Sequence, residues 1–193
     1  EEVQRFFSEQ EATEKPFQIP DHWVEATSTT LRYLHQNNAL RAYRQGTVDV
    51  RYDPKTDRHV FCTWNYRNCI GAWGRSITGI QPKWLFFGTE NFPLVVPKRG
   101  SFRNPENAEI GYLVEDAASA CSVSALGDGI SLNGTYLPHS YIPVLRRYEK
   151  IIIMLDPDAQ DKSLEMQARV QFYTPCIVKW MAREPKEINF YGD

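Results

Sequence analysis

The chain has 193 residues, 42% of them apolar, with 22 Lys/Arg against 24 Asp/Glu and four cysteines. That is enough apolar material for one buried core or two small ones, while no apolar run approaches the roughly 20 residues that a membrane span requires. Cys62, Cys69, Cys121 and Cys176 lack Cys-x-x-Cys spacing, which speaks against a zinc ribbon or a disulfide scaffold.

A reduced, cytoplasmic protein is therefore the default expectation, and the Asn133-Gly134-Thr135 sequon reads as a chance match. A chain that opens Glu-Glu rather than Met points to further residues upstream. The net charge of −2 conceals a division: residues 1 to 40 carry 3 Lys/Arg against 7 Asp/Glu, residues 41 to 103 carry 11 against 4, and residues 104 to 193 carry 8 against 13. A basic middle joined to an acidic C-terminal part suits a protein that grips phosphates with one region and holds metal with the other.

Residues 1 to 26 are polar and acidic with two prolines and no clear period, and are expected to be an arm or linker. Ser28, Thr29 and Thr30 offer N-caps, and Leu31, Leu34, Leu40 and Tyr43 recur at helical spacing across an Asn37-Asn38 break, which predicts two short helices. Thr47 to Tyr52 and His59 to Trp64 flank a turn at Asp53-Pro-Lys-Thr-Asp57 and read as a hairpin; Cys69 to Trp73 reads as a further strand. A Pro- and Gly-rich stretch from Pro93 to Pro105 marks the expected boundary, giving a basic unit over 27–107 and a second over 108–193.

In the second unit strands and helices alternate. Strands are expected at Ile110 to Val114, Gly129 to Leu132, from Ile151 and at Ile177 to Met181; helices are expected at Ala117 to Leu126, Pro138 to Tyr148 and about Ser163 to Tyr173. The predicted class is α/β, a small mainly parallel sheet flanked by helices, after an α+β N-terminal part. The run Lys-Ile-Ile-Ile-Met-Leu-Asp-Pro-Asp at 150 to 158 reads as a strand buried on both faces that ends on carboxylates. On an extended backbone Asp156 and Asp158 would point the same way at the carboxyl end of that strand, where open α/β sheets place ligands. The plainer reading is that Asp156 caps the next helix and Asp158 is solvated. Glu115 ends the first strand of the unit in the same manner, and its plainer reading is a charge at a helix N-terminus. If the two strands are neighbours, three carboxylates meet at one edge, which is costly unless a divalent cation neutralises them. Mg²⁺ fits, since it takes one or two protein carboxylates and leaves its other positions to water and phosphate.

Leu-Val-Glu-Asp-Ala-Ala-Ser-Ala at 113 to 120, Ser-Leu-Asn-Gly-Thr at 131 to 135 and Leu-Asp-Pro-Asp at 155 to 158 resemble the Toprim domain of DnaG-type primases and topoisomerases. The Val-Glu-Asp-x-x-Ser-Ala form is most similar to primases of bacteriophages, which implies a phage-encoded protein acting in a bacterial cytoplasm. Arg58-His-Val-Phe, Ile70-Gly-Ala-Trp-Gly-Arg75 and Pro82-Lys-Trp-Leu85 resemble the basic N-terminal subdomain of the same primase core, in the same order. The resemblance implies a DNA primase, a DNA-directed RNA polymerase that makes short RNA primers from ribonucleoside triphosphates on single-stranded DNA. It implies Mg²⁺ or Mn²⁺ in two or more ions and a replicative helicase as a further partner. Glu115 would take the family's acidic position, with Asp156 and Asp158 as metal ligands; Arg75 and Lys83 would bind nucleotide or nucleic-acid phosphates. The sequence departs from the family at Asp116 and Ser119, and at Glu184, which stands for Asp in a later Asp-Pro motif and is a further candidate ligand. Lys162 is a candidate phosphate contact. The aromatics of the basic block (Tyr52, Trp64, Tyr66, Trp73, Trp84, Phe86, Phe87) could stack on bases, although large rings more often fill cores.

The rival readings are a Toprim-type nuclease that uses the same acids and an inactive nucleic-acid-binding relative. A dinucleotide-binding domain is disfavoured, because no Gly-x-Gly-x-x-Gly follows the first strand of the second unit.

Overall fold

The computed structural model describes residues 16–65, 68–106 and 108–192. Five short strands build the first sheet: β1 (Val24–Glu25), β2 (Asp49–Asp53), β3 (Arg58–Asn65), β4 (Asn68–Ser76) and β5 (Trp84–Phe87). They pair in chain order, each antiparallel to the next. The expected hairpin is β2 and β3, closed at Asp53, whose carboxylate accepts the Lys55 N–H at 2.9 Å. Two short helices precede it, α1 (Ser28–Gln36) and α2 (Leu40–Arg44). Thr27, one residue before the three expected caps, is the N-cap of α1, and its hydroxyl accepts the Thr30 N–H at 3.3 Å. Asn38, with φ of 53°, separates the two helices.

The arm expected over 1–26 is packed in its described part. Phe17 donates its N–H to Cys69 O at 2.7 Å, and β1 lies along β2. Trp23 is buried with Val60, Cys62, Cys69 and Ala72, its ring 5.0 Å from that of Phe87. Few but large apolar side chains in a polar segment override its composition, because one buried aromatic outweighs several solvated neighbours.

The second sheet has the order β12-β11-β9-β10-β6. Its four parallel strands are β9 (Ile110–Val114), β10 (Asp128–Ser131), β11 (Lys150–Ile153) and β12 (Cys176–Val178). The antiparallel edge strand β6 (Leu94–Val96) comes from the Pro- and Gly-rich stretch expected to be the boundary, which also holds a small hairpin, β7 (Arg99–Ser101) and β8 (Asn104–Glu106). Helices cover both faces. On one side α3 (Ala117–Val123) is wholly buried; on the other lie a short α4 (Ile142–Leu145) and α5 (Gln160–Val170). The expected Pro138 to Tyr148 helix is only a 3₁₀ turn followed by α4.

The Ile151 strand is buried on both faces, as its composition predicts. Ile151, Ile153 and Leu155 enter the cluster under α4 and α5, while Met154 enters the opposite one. That opposite cluster also contains Leu34, Val50, Phe61 and Trp73, so the two sheets share a core across α3. The close approach of α3 requires Gly129 in β10, where a Cβ would lie 2.0 Å from the Ala120 carbonyl oxygen.

Candidate active site

From β9 the chain crosses to β10 on one side and then returns to β11 on the other, so the strand order reverses between β9 and β11. Such switch points open a crevice at the carboxyl ends of parallel strands. The pairing of Ile110 to Leu113 with Lys150 to Ile153 puts Glu115 and Asp156 side by side at that edge. The Asp156 N–H donates to the Glu115 carboxylate. Below it, Gly134 donates to the Glu115 carbonyl at 3.0 Å, so the Ser131 to Thr135 turn wraps against the same strand end.

One oxygen of each acid, Glu115 Oε2 and Asp156 Oδ1, is buried without a hydrogen-bond partner. Burial raises both carboxyls. Glu115 is pushed above the usual range, with Asp158 and Asp116 adding to the shift, although the Asp156 N–H and Lys186 oppose it. Asp156 is lifted to about 7, first by burial and next by the Glu115 charge. Neither acid makes a capping hydrogen bond, although Glu115 does precede a helix N-terminus. Asp156 makes no cap hydrogen bond, and the N-cap of α3 is Asp116, whose Oδ1 accepts the Ser119 N–H at 2.8 Å.

Asp158 does not sit as expected. Pro157 starts a 3₁₀ turn over Pro157–Ala159 instead of continuing the strand, so Asp158 turns into solvent. Its charge still reaches Glu115. Glu184 approaches from the C-terminal segment, close enough for its charge to act on Asp156. Its carboxylate is ion-paired with Lys186, and the Lys186 ammonium also contacts Asp116 Oδ2 at 2.8 Å. Burial works to lower this ammonium, but Asp116 and Glu184 more than offset it and hold the pKa above the ordinary lysine value.

The basic wall arrives from the first sheet. Arg75 in β4 lies over the Trp84 ring, 5.7 Å from its centroid, and donates to the Tyr33 hydroxyl. Tyr33, from α1, feels the charges of Asp116 and Lys186 and stacks at 4.6 Å on His59, which burial lowers to about 4 and keeps neutral. Tyr33 therefore joins Arg75 to the acidic edge. Sequence reasoning missed both Tyr33 and Lys186; the second lies two residues after Glu184, in the same Asp-Pro-like motif, while Tyr33 offered no signal beyond its helix.

Lys162 flanks the other side, donating to Thr135 Oγ1 at 2.8 Å. Lys83 is exposed on the turn before β5, and its carbonyl accepts from Ser76 and from the buried Arg58 guanidinium. Arg58 also donates to Gly74 O and Pro82 O, so it clamps the turn that carries Lys83. None of the six described aromatics of the basic block is exposed; they pack into or against the core clusters or lie half-buried in the sheet. Tyr66 lies outside the described residues. A cleft lined by Trp64, Phe102, Asp128, Val144, Arg147 and Tyr148 contains none of the predicted acids.

Among the described residues no three His, Cys, Asp or Glu side chains converge closely enough to form a finished cation site. What the structure offers is a pair of carboxylates with unpartnered buried oxygens, flanked by further acids. Hard oxygen donors of this kind fit Mg²⁺ or Mn²⁺.

The same fold occurs in the catalytic cores of DnaG-type primases. The chain superposes on a DNA primase domain from Pseudomonas aeruginosa with a TM-score of 0.54 and 15% identity, over 86% of this chain and 58% of that one. It matches a DnaG primase catalytic domain bound to single-stranded DNA with a TM-score of 0.52 and 16% identity, over 96% and 66%. For the E. coli primase catalytic core the values are 0.52 and 15%, over 86% and 60%. The chain thus spans about 58 to 66% of the length of these cores. No protein-family model and no curated protein sequence matches it. Among the described residues no helix is long and apolar enough to cross a membrane.

Proposed function

We propose that this chain is the catalytic part of a primase, a nucleotidyl transferase that joins ribonucleoside triphosphates into short RNA primers on a single-stranded DNA template. The observation that carries this reading is the meeting of Glu115 and Asp156 at the switch point, each with a buried unpartnered oxygen, on a fold shared with DnaG-type cores. The likeness to a primase domain bound to single-stranded DNA supports the choice of template.

Glu115 and Asp156 would hold Mg²⁺ or Mn²⁺, with Asp158 and Glu184 as outer acids of this Toprim-like edge. A divalent ion bound there supplies charge neutralisation for phosphoryl transfer and lowers the pKa of the attacking hydroxyl. The chain's own work is positioning. Arg75, braced by Tyr33 and Trp84, offers its remaining N–H donors to phosphate oxygens, in the planar fork that suits them. Lys162 and Lys83 add flexible positive charge on either side. Asp156, half-buried and lifted to about 7, binds a proton near neutral pH in the absence of a cation, so protons and metal compete for it. A replicative helicase as partner rests on the sequence resemblance.

The test is a gel assay with the chain, unstructured single-stranded DNA, four labelled ribonucleotides and Mg²⁺ or Mn²⁺, beside Asp156→Asn. Short labelled RNA that vanishes in the variant is expected. Shortened DNA without RNA would replace this reading with a Toprim-type nuclease.

A further inference from the structure

The acidic edge already contains a cation. Lys186 sits between Asp116 and Glu184, on a segment that folds back over α3 in a 3₁₀ turn at Pro185–Glu187. Its position is fixed on several sides. Pro185 is buried, the Lys186 carbonyl accepts from Asn38 Nδ2 at 2.8 Å, and two residues on, the Ile188 carbonyl accepts from Ser122 in α3 at 2.7 Å. Asp116 is equally fixed, since its other oxygen caps α3. The ammonium is therefore held between its two carboxylates with its side chain 19% exposed.

A compact ammonium with its donors on two carboxylates neutralises that pair as a metal would. A divalent ion at Asp116 and Glu184 would have to displace it, against both ion pairs and the packing of the turn. Glu115 and Asp156 differ, because their unpartnered oxygens are filled by no group of the described chain. We propose that Lys186 is a tethered substitute for one divalent ion, so that the site binds a single Mg²⁺ or Mn²⁺, at Glu115 and Asp156. This rests on the metal-dependent reading above and replaces the expectation of two or more ions. Lys186 acts as a positioning residue: it fixes the ion count and keeps the Asp116–Glu184 side of the crevice closed to metal.

The experiment counts Mn²⁺ bound to the full chain by titration calorimetry and by electron paramagnetic resonance of free Mn²⁺, with no nucleotide or DNA present. One ion is expected for the wild type, and at least about tenfold weaker binding for Asp156→Asn. Lys186→Met, which keeps the length and removes the charge, should bind a second ion; Lys186→Arg should bind one, and Lys186→Met with Glu184→Gln should return to one. Two ions in the wild type would overturn the inference and leave the primase reading standing, as would a count of one in a folded Lys186→Met. No Mn²⁺ bound to the wild type would overturn the metal reading and this inference with it. Should Lys186→Met fail to fold, the wild-type count still decides, and Lys186→Gln repeats the charge removal.

Discussion

Removing the Asp156 carboxylate should make this protein more stable. Asp156 titrates at about 7 in the folded chain instead of at the ordinary 3.8, chiefly because it is desolvated at the strand end, with Glu115 next to it. A difference of about three pH units corresponds to about 4 kcal/mol; partial solvent access at the crevice cuts this to about 2 kcal/mol. The sign follows from proton binding: between about pH 4 and pH 7 the folded state holds a proton that the unfolded state has lost, so stability falls as pH rises through that window. The Asp156→Asn substitution keeps the shape of the side chain and removes its charge. At pH 8 in EDTA the variant should gain about 2 kcal/mol, which for a chain of this size is a rise in Tm of about 4 to 8 °C. At about pH 5, where the folded carboxyl still holds its proton, the gain should be smaller. Thermal unfolding followed by circular dichroism at both pH values measures it, and added Mg²⁺ should raise the Tm of the wild type and not that of the variant. A variant that melts at or below the wild type at pH 8 would refute the claim that this carboxylate is buried and uncompensated.

Other expected outcomes depend on different parts of the structure. Tyr33→Phe removes the hydroxyl that receives Arg75 while leaving the ring on His59; primer synthesis should fall about tenfold or more, mostly in the apparent affinity for ribonucleotides, with a change of less than about 1 kcal/mol in unfolding free energy. Arg75→Lys should behave like Arg75→Ala in filter binding of triphosphates, because an ammonium cannot reproduce the fork held by Tyr33 and Trp84. Gly129→Ala puts a methyl group 2.0 Å from the Ala120 carbonyl oxygen, and should cost about 3 kcal/mol in urea unfolding or prevent folding. Leu34→Ala, in the core shared by the two sheets, should cost about 2 to 5 kcal/mol and lower both halves together in a single unfolding transition.

The second sheet was legible because its signals are local and repeated. Five consecutive apolar residues from Ile151 can only be a strand covered on both faces or a short buried helix, and the turn residues on either side decide for the strand. The pairing of β9 with β11, which brings Glu115 to Asp156, was only a condition at the level of sequence: β10 comes between them in the chain, and the reversal of strand order that makes them neighbours leaves no local signal. What stayed hidden is tertiary. Trp23 and Phe17 belong to a segment whose average composition is that of a linker, and only the open face of the first sheet gives them a place to bury. β6 sits among prolines, where an edge strand with only one hydrogen-bonded neighbour tolerates them. The direction of Asp158 depended on whether Pro157 extends the strand or starts a turn, and proline's fixed φ permits both.

The basic and acidic regions are distinct in sequence, and the structure joins them through one helix. Residue 33 lies on α1, whose apolar side packs Leu34 into the shared core, while the adjacent Tyr33 reaches the rim where β4 ends and α3 begins. A tyrosine is suited to this place, since its ring fills space against His59 and its hydroxyl accepts from Arg75. Among the described residues Arg75 makes no ion pair with a carboxylate. Tyr33 thus feels the charges of Arg75, Asp116 and Lys186 together, while its stacking partner His59 adds none, because burial keeps that imidazole neutral.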